Sequence, residues 1–234
     1  MDKVLIVLSA ARHWTRADGS LYDTGIWAEE FVAIDEVFLA AGLQVDLASP
    51  SGTAPTIDQR SLDPAIVGAE LAQRMRSYLQ AHADRLAKPR VLADIDADDY
   101  AAVVVPGGHG PVEDLYKDAA MGRLLVQADR AGKVIAAVCH GPAALLATRV
   151  DGQAWPFAGR RMTAFTDEEE IEFGTADNAP WLLAANLRAA GARFEQGPNW
   201  QPYVVRDGQL ITGQNPASSA ALAKAVLETL SVQR

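Results

Sequence analysis

The chain has one cysteine, Cys139, which directly follows the apolar run Val134–Val138 and precedes His140, Gly141 and Pro142. Small residues, Ala143–Leu146, come next and read as the start of a helix. Strand, tight turn and helix in that order set a side chain at the carboxyl end of a buried strand, where open α/β sheets bind their ligands. A helix N-terminus beside it favours thiolate. The position resembles a nucleophile elbow. The plain alternative is a small buried hydrophobe, since free cysteine is among the most buried residue types. His140 next door argues against that, although it can serve Cys139 only if the turn is not regular helix, where adjacent side chains point apart.

Three other clusters could take part. Pro106-Gly107-Gly108-His109-Gly110 ends the run Tyr100–Val105, and its glycines permit the φ values that aim backbone N–H groups at a ligand. It reads either as an oxyanion hole or as a tight turn. Glu29 and Glu30 lie in the first turns of a helix opened by Asp23-Thr24-Gly25, where carboxylates also serve capping and the helix dipole. The acidic run Asp167–Glu170 follows Met162–Thr166, an expected strand. Thr166 with Glu169, or Asp167 with Glu170, has capping-box spacing, so one carboxylate starts a helix and another is left to orient a histidine. The histidines are His13, His82, His109 and His140, and none but His140 follows Cys139. A base from a distant downstream His-x-Glu is thereby excluded, and His82 reads as a solvated helix residue.

The elements that must position these groups alternate. Lys3–Ser9, Gln44–Ala48, Tyr100–Val105 and Lys133–Val138 are short β-branched runs of the kind buried on both faces of a parallel sheet. Helical patterns over Trp27–Ala41, Pro64–Leu86 and Ala119–Ala131 lie between them. The spacing predicts an α/β fold, a doubly wound, mostly parallel sheet flanked by helices, over a single domain of residues 1–234. Tyr203–Arg206 and Gln209–Thr212 around Asp207-Gly208 predict a small C-terminal β-hairpin, and Pro216 opens a last helix through about Leu230. The polar segments Ala10–Asp23 and Ser49–Asp63 are long for α/β connections, as functional loops tend to be.

Composition narrows the function. With 234 residues, 49% hydrophobic and 22% charged, the chain is ordinary for a globular α/β domain. A formal net charge of −9 repels phosphate backbones and anionic lipid, so neither nucleic acid nor membrane is an expected partner. No basic, apolar leader or spanning segment is seen, and the expected location is cytoplasmic. One cysteine can form neither an internal disulfide nor, alone, a zinc site.

Taken together, Thr24-Gly-Ile-Trp-Ala-Glu-Glu30, Val105-Pro-Gly-Gly-His-Gly110 with Asp114-Leu115, Ala136-Ala-Val-Cys-His-Gly-Pro142 and Thr212-Gly-Gln-Asn-Pro-Ala-Ser218 resemble the ThiJ/PfpI superfamily. The closest branch is that of the glutathione-independent glyoxalases (glyoxalase III) and related stress chaperones, within the class I glutamine amidotransferase-like, flavodoxin-like fold. The likeness runs from about Lys3 to Leu230. It implies Cys139 as nucleophile, His140 as base, Glu30 as the acid facing the elbow and Glu170 as the triad acid, with Glu169 open for that last role. It places oxyanion donors on the backbone of Gly108 and His140, with Gly107 and His109 in the same substrate-binding turn. Ala137, Val138 and His140 in the elbow, and the lack of a downstream histidine, depart from the amidotransferases and disfavour glutamine hydrolysis. The implied reaction converts methylglyoxal or glyoxal to lactate or glycolate without metal, cofactor or glutathione, on a likeness that also implies a homodimer. A stress-response holdase or redox sensor, and an intracellular cysteine peptidase or hydrolase, are the competing readings. Catalysis calls for a lowered Cys139 pKa, with Glu30 protonated and hydrogen-bonded to sulfur at rest.

Overall fold

The computed structural model describes residues 2–232. Its centre is a seven-stranded sheet. The strands are β1 (Lys3–Val7), β4 (Gln44–Ser49), β5 (Arg90–Val91), β6 (Ala102–Val105), β7 (Val134–Val138), β10 (Val204–Asp207) and β11 (Leu210–Gly213). They run in the order β10-β11-β7-β6-β1-β4-β5, and every neighbouring pair is parallel except β10–β11. Successive side chains of the central strands go to opposite faces, as the pleat requires. Val4, Ile6, Val104, Ala136 and Val138 pack under α1 (Ala28–Ala40), α3 (Ala69–Ala81) and α8 (Ser219–Val232). Leu5, Val7, Val103, Val105, Ile135 and Ala137 pack under α5 (Ala119–Arg130) and the 3₁₀ segment Gly141–Thr148. Both faces are covered, which is why these strands read as unbroken apolar runs.

The expected doubly wound α/β architecture is therefore present, with four corrections. The Pro64–Leu86 pattern forms three helices, α2 (Pro64–Val67), α3 and α4 (Ala83–Leu86), because Gly68 at φ 87° and a turn at His82 interrupt it. His82 stacks on Tyr78 with ring centroids 4.2 Å apart instead of standing free in water. The expected C-terminal hairpin is present, but its two-residue turn is Gly208-Gln209, one place later than expected, and β11 also pairs in parallel with β7, so the hairpin extends the main sheet. Of the expected strand Met162–Thr166, only Met162 pairs, in β8 (Arg161–Met162) against β9 (Arg193–Phe194). Within Ala10–Asp23, which has no run long enough to announce a strand, β2 (His13–Thr15) and β3 (Leu21–Asp23) form a short hairpin. Two further helices, α6 (Asp167–Glu172) and α7 (Leu183–Ala189), lie near the carboxyl edge of β7 and over β9.

Register brings the catalytic candidates to one edge. Val105 of β6 pairs with Ala137 and Gly213 of β11 pairs with Val138, so the segments after all three strands emerge side by side. Among the described residues no helix is long and apolar enough to cross a membrane.

Candidate active site

Cys139 sits one residue past β7 at φ 59°, a left-handed conformation that side chains rarely adopt and that marks a turn held by its surroundings. Its N–H donates to the Gly213 carbonyl at 3.0 Å, and its own carbonyl accepts from the Phe165 N–H at 2.9 Å. Neighbouring backbones come too close for side chains. A Cβ on Gly107 would lie 2.6 Å from the His140 nitrogen, and one on Gly141 would lie 2.1 Å from the Val105 oxygen. The elbow thus needs glycine on both sides of the β6–β7 seam. His140, at φ −88° and ψ −4°, turns its ring back so that Nδ1 lies 3.3 Å from the Cys139 sulfur.

The second nitrogen of that ring, Nε2, is 2.6 Å from Glu170 Oε2. Glu170 occupies the first turn of α6, and the neighbouring carboxylate explains its freedom. Glu169 closes the capping box, accepting the Thr166 N–H at 3.1 Å while the Thr166 hydroxyl accepts the Glu169 N–H at 3.0 Å. Glu169 also accepts from Trp200 N–H (2.8 Å), Asn215 Nδ2 (2.8 Å) and Gln214 Nε2 (3.1 Å), so it ties α6 to the segment after β11. Glu170 is left to face the histidines. Its Oε1 receives His109 Nε2 at 2.6 Å and the Thr175 hydroxyl.

One buried carboxylate therefore holds two imidazoles. With Nε2–H donating from each ring, Nδ1 of His140 is left as the acceptor facing sulfur. Burial alone would raise the Glu170 pKa, but the two histidines outweigh it and hold this carboxyl well below the usual range. The His109 pKa is lowered, first by burial and then by His140, which keeps that ring neutral. An aromatic stack fixes both rings: Trp14 on His109 (4.8 Å), His109 on His140 (4.1 Å) and His140 on Phe165 (4.7 Å). Trp14 is the buried residue of β2, which is the work of that hairpin.

On the other side of the sulfur stands Glu30, wholly buried near the start of α1. Its Oε2 accepts the Gly107 N–H at 2.6 Å, so that N–H is engaged by protein and is not an open oxyanion donor. Glu30 Oε1 has no conventional hydrogen bond among the described residues, and the Cys139 thiol and the Glu29 carboxylate are the other polar groups acting on Glu30. Burial raises the Glu30 pKa to about 8, against the smaller opposing effect of the Gly107 N–H. The carboxyl is protonated at neutral pH. Burial, and then the charge Glu30 would carry, push the Cys139 thiol up as well. The expectation of a lowered thiol pKa is thus corrected: Cys139, 4% exposed and beside the Glu30 carboxyl, rests as a thiol. The Gly108 N–H, at φ 85°, faces that sulfur.

These groups enclose a cavity of about 20 Å³ between Trp27, Phe165, Phe173 and Trp200. That is room for roughly one water. Trp200, 39% exposed and at φ 60°, forms its outer wall. All of Cys139, His140, Glu170, Glu30, Gly107, Gly108 and His109 are thus brought together. Sequence reasoning did not find Glu169 as the anchor of Gln214 and Asn215, the bond from His109 to Glu170, or Thr175; Trp14 was visible only as one of the bulky residues of the Ala10–Asp23 loop that could cover a pocket or pack elsewhere. Only the capping-box spacing held a signal for any of the others. His109, His140 and Glu170 offer metal-ligating atoms within 4.8 Å of one another, but a cation there would displace both imidazole protons from Glu170.

Known proteins share this arrangement's whole frame. The chain is 31% identical to the protein/nucleic acid deglycase HchA of Pseudomonas aeruginosa, over 97% of this chain and 80% of that one. It is 30% identical to the glutathione-independent glyoxalase HSP31 of Saccharomyces cerevisiae, over 97% and 98%. The crystal structure of glyoxalase III from Candida albicans superposes with a TM-score of 0.83 at 26% identity, covering 97% of each chain. The relatives bear out the glyoxalase III and stress-protein branch read from the motifs. Residues 22–229 match the DJ-1/PfpI family, and the chain belongs to that family.

Proposed function

We propose that the protein is a glutathione-independent glyoxalase, a cofactor-independent lyase that converts methylglyoxal to lactate and glyoxal to glycolate. The observation that carries the reading is the run of contacts from Glu170 through the His140 ring to the Cys139 sulfur, with a protonated Glu30 on the far side. As sulfur adds to the aldehyde carbon, the thiol proton passes through His140 Nδ1 to the carbonyl oxygen, giving a hemithioacetal and returning His140 to its neutral form. The N–H groups of Gly108 and His140 are the donors for charge on that oxygen. His140 then takes the proton from the same carbon, the C=C bond of the enediol forms, and the ketone oxygen takes up a proton from Glu30. His140 delivers its proton to the second carbon while the hydroxyl on the first carbon, the one bonded to sulfur, gives its proton to the Glu30 carboxylate and becomes the thioester carbonyl, which leaves the thioester of the 2-hydroxy acid, a neutral His140 and a protonated Glu30. Water cleaves the thioester, releasing lactate and the thiol.

The thiol's high pKa suits a nucleophile ionised only with substrate in place and weighs against a redox sensor, which needs a standing thiolate. The aromatic walls around the sulfur leave less room for an extended peptide than for a small aldehyde, and either needs the outer wall at Trp200 to move. The name of the Pseudomonas relative favours a second reading, deglycase action, for which a protein or nucleic acid would have to reach a sulfur that is 4% exposed. A homodimer in the cytoplasm completes the proposal. The test is lactate formation from methylglyoxal with no added thiol. Turnover by the native protein and none by Cys139→Ser supports the reading, and equal rates from the two overturn it.

A further inference from the structure

Beside the Cys139 cavity lies a larger hollow of about 750 Å³, open to solvent between the β2–β3 hairpin and residues 56–60. Arg12, Arg16 and Arg60 all line it, in a chain whose formal net charge is −9. The Arg60 guanidinium is sandwiched between Tyr22 and Phe173, 4.7 and 4.0 Å from the ring centroids, and Arg16 lies 4.5 Å over the Tyr22 ring. Stacking fixes these cations without using their N–H groups. Nε and Nη2 of Arg60, Nε of Arg16 and the Tyr22 hydroxyl are buried and meet no hydrogen-bond partner among the described residues. Unmet buried donors are costly, and several on one wall point to an acceptor that comes from outside.

The acids on the same wall do not fill that role. Asp23 is engaged by His13 Nδ1 at 2.9 Å. Asp58 accepts from the Thr24 hydroxyl at 3.1 Å and the Arg60 N–H at 3.0 Å, and its carboxylate stands 3.8 Å from Arg60 Nε. Two engaged carboxylates against three guanidinium groups leave the hollow net positive. We propose that it is a binding site for a small molecule bearing a phosphate or carboxylate group, held by Arg60 and Arg16 with Arg12 at the rim. Planar guanidinium donors match both groups in geometry. The site touches the catalytic cluster: Arg60 shares the Phe173 ring with the Cys139 cavity, and the Tyr22 and His109 rings are 5.9 Å apart. The charge of Arg60 contributes to the low His109 pKa, so an anion bound there reaches the paired histidines.

The experiment is calorimetric titration of the full chain with inorganic phosphate and, separately, with acetate, at constant ionic strength. Saturable binding is expected. The double variant Arg12→Gln/Arg16→Gln should weaken it at least tenfold, and Arg60→Lys, which keeps the charge but loses the fork, should weaken it by a similar factor. Because Arg60 packs on two rings, its variant is judged beside the double variant, in which Arg12 is exposed and Arg16 stacks on one ring only. The tighter of the two anions identifies the group the site takes. No saturable heat with either anion, or affinity unchanged in the double variant, overturns the proposal. Binding to Cys139→Ser should equal that of the native chain, so this result stands apart from whether lactate is formed.

Discussion

Replacing Glu30 by Gln removes a titrating proton from the interior while keeping an acceptor for the Gly107 N–H. Burial lifts this carboxyl from 4.5 to about 8. In the unfolded chain it ionises near its ordinary value, so between those limits the folded protein holds a proton that the unfolded chain has released. Stabilisation from a raised pKa is full below the unfolded value and is lost as pH rises through the folded one, at about 1.4 kcal/mol per pH unit for one proton. Over the whole interval that amounts to about 5 kcal/mol, a large part of what a domain has. Gln cannot ionise, so the stability of Glu30→Gln minus that of the native chain should climb by about 3 kcal/mol from pH 5.5 to 7.5. Any fixed cost of the amide is the same at each pH and drops out of the slope. Urea unfolding at pH 5.5, 6.5 and 7.5 and constant ionic strength measures this. A difference that does not change with pH would mean that Glu30 ionises in the folded protein as it does in water, and that burial does not hold its proton.

Two further outcomes follow from the same geometry. If the proton on Glu30 is part of the machinery, kcat/KM for methylglyoxal falls as pH rises through about 8, and the pH–rate profile locates the limb. Glu169→Gln and Glu170→Gln should part company. The first loosens the Thr166, Trp200 and Asn215 ties and lowers Tm by several degrees. The second keeps the fold but cuts kcat by about a hundredfold or more, as expected when a base loses its orienting carboxylate. Thermal denaturation and steady-state kinetics on the pair separate the two roles.

The sheet was legible because β1, β6 and β7 are buried on both faces and so leave apolar runs that stop at Ser9, Pro106 and Cys139. The elbow was legible for the same reason, since Cys139 follows such a run directly and is itself followed by Gly141-Pro142. The choice between Glu169 and Glu170 was not. Capping-box spacing offers two registers in a run of four acids, and only the contacts of Gln214, Asn215 and Trp200 with Glu169 decide which carboxylate is spent on structure. Nor could spacing reveal that His109 shares Glu170 with His140, because a contact across 61 residues depends on how β6 and α6 meet. The sequence points to Glu30 protonated beside the sulfur, but not to how far burial raises the thiol itself. A turn at a helix start argues for thiolate, but full burial beside Glu30 acts through tertiary packing and outweighs it.

Whether Cys139 carries the substrate through a covalent intermediate is decided by acid-quenching the protein with methylglyoxal over a single turnover and mapping adducts by mass spectrometry. The peptide holding Cys139 should gain the mass of one methylglyoxal before lactate appears and lose it at the rate lactate forms. Lactate produced while that peptide stays unmodified, or with the added mass confined to lysine or arginine side chains, would contradict a covalent route through Cys139.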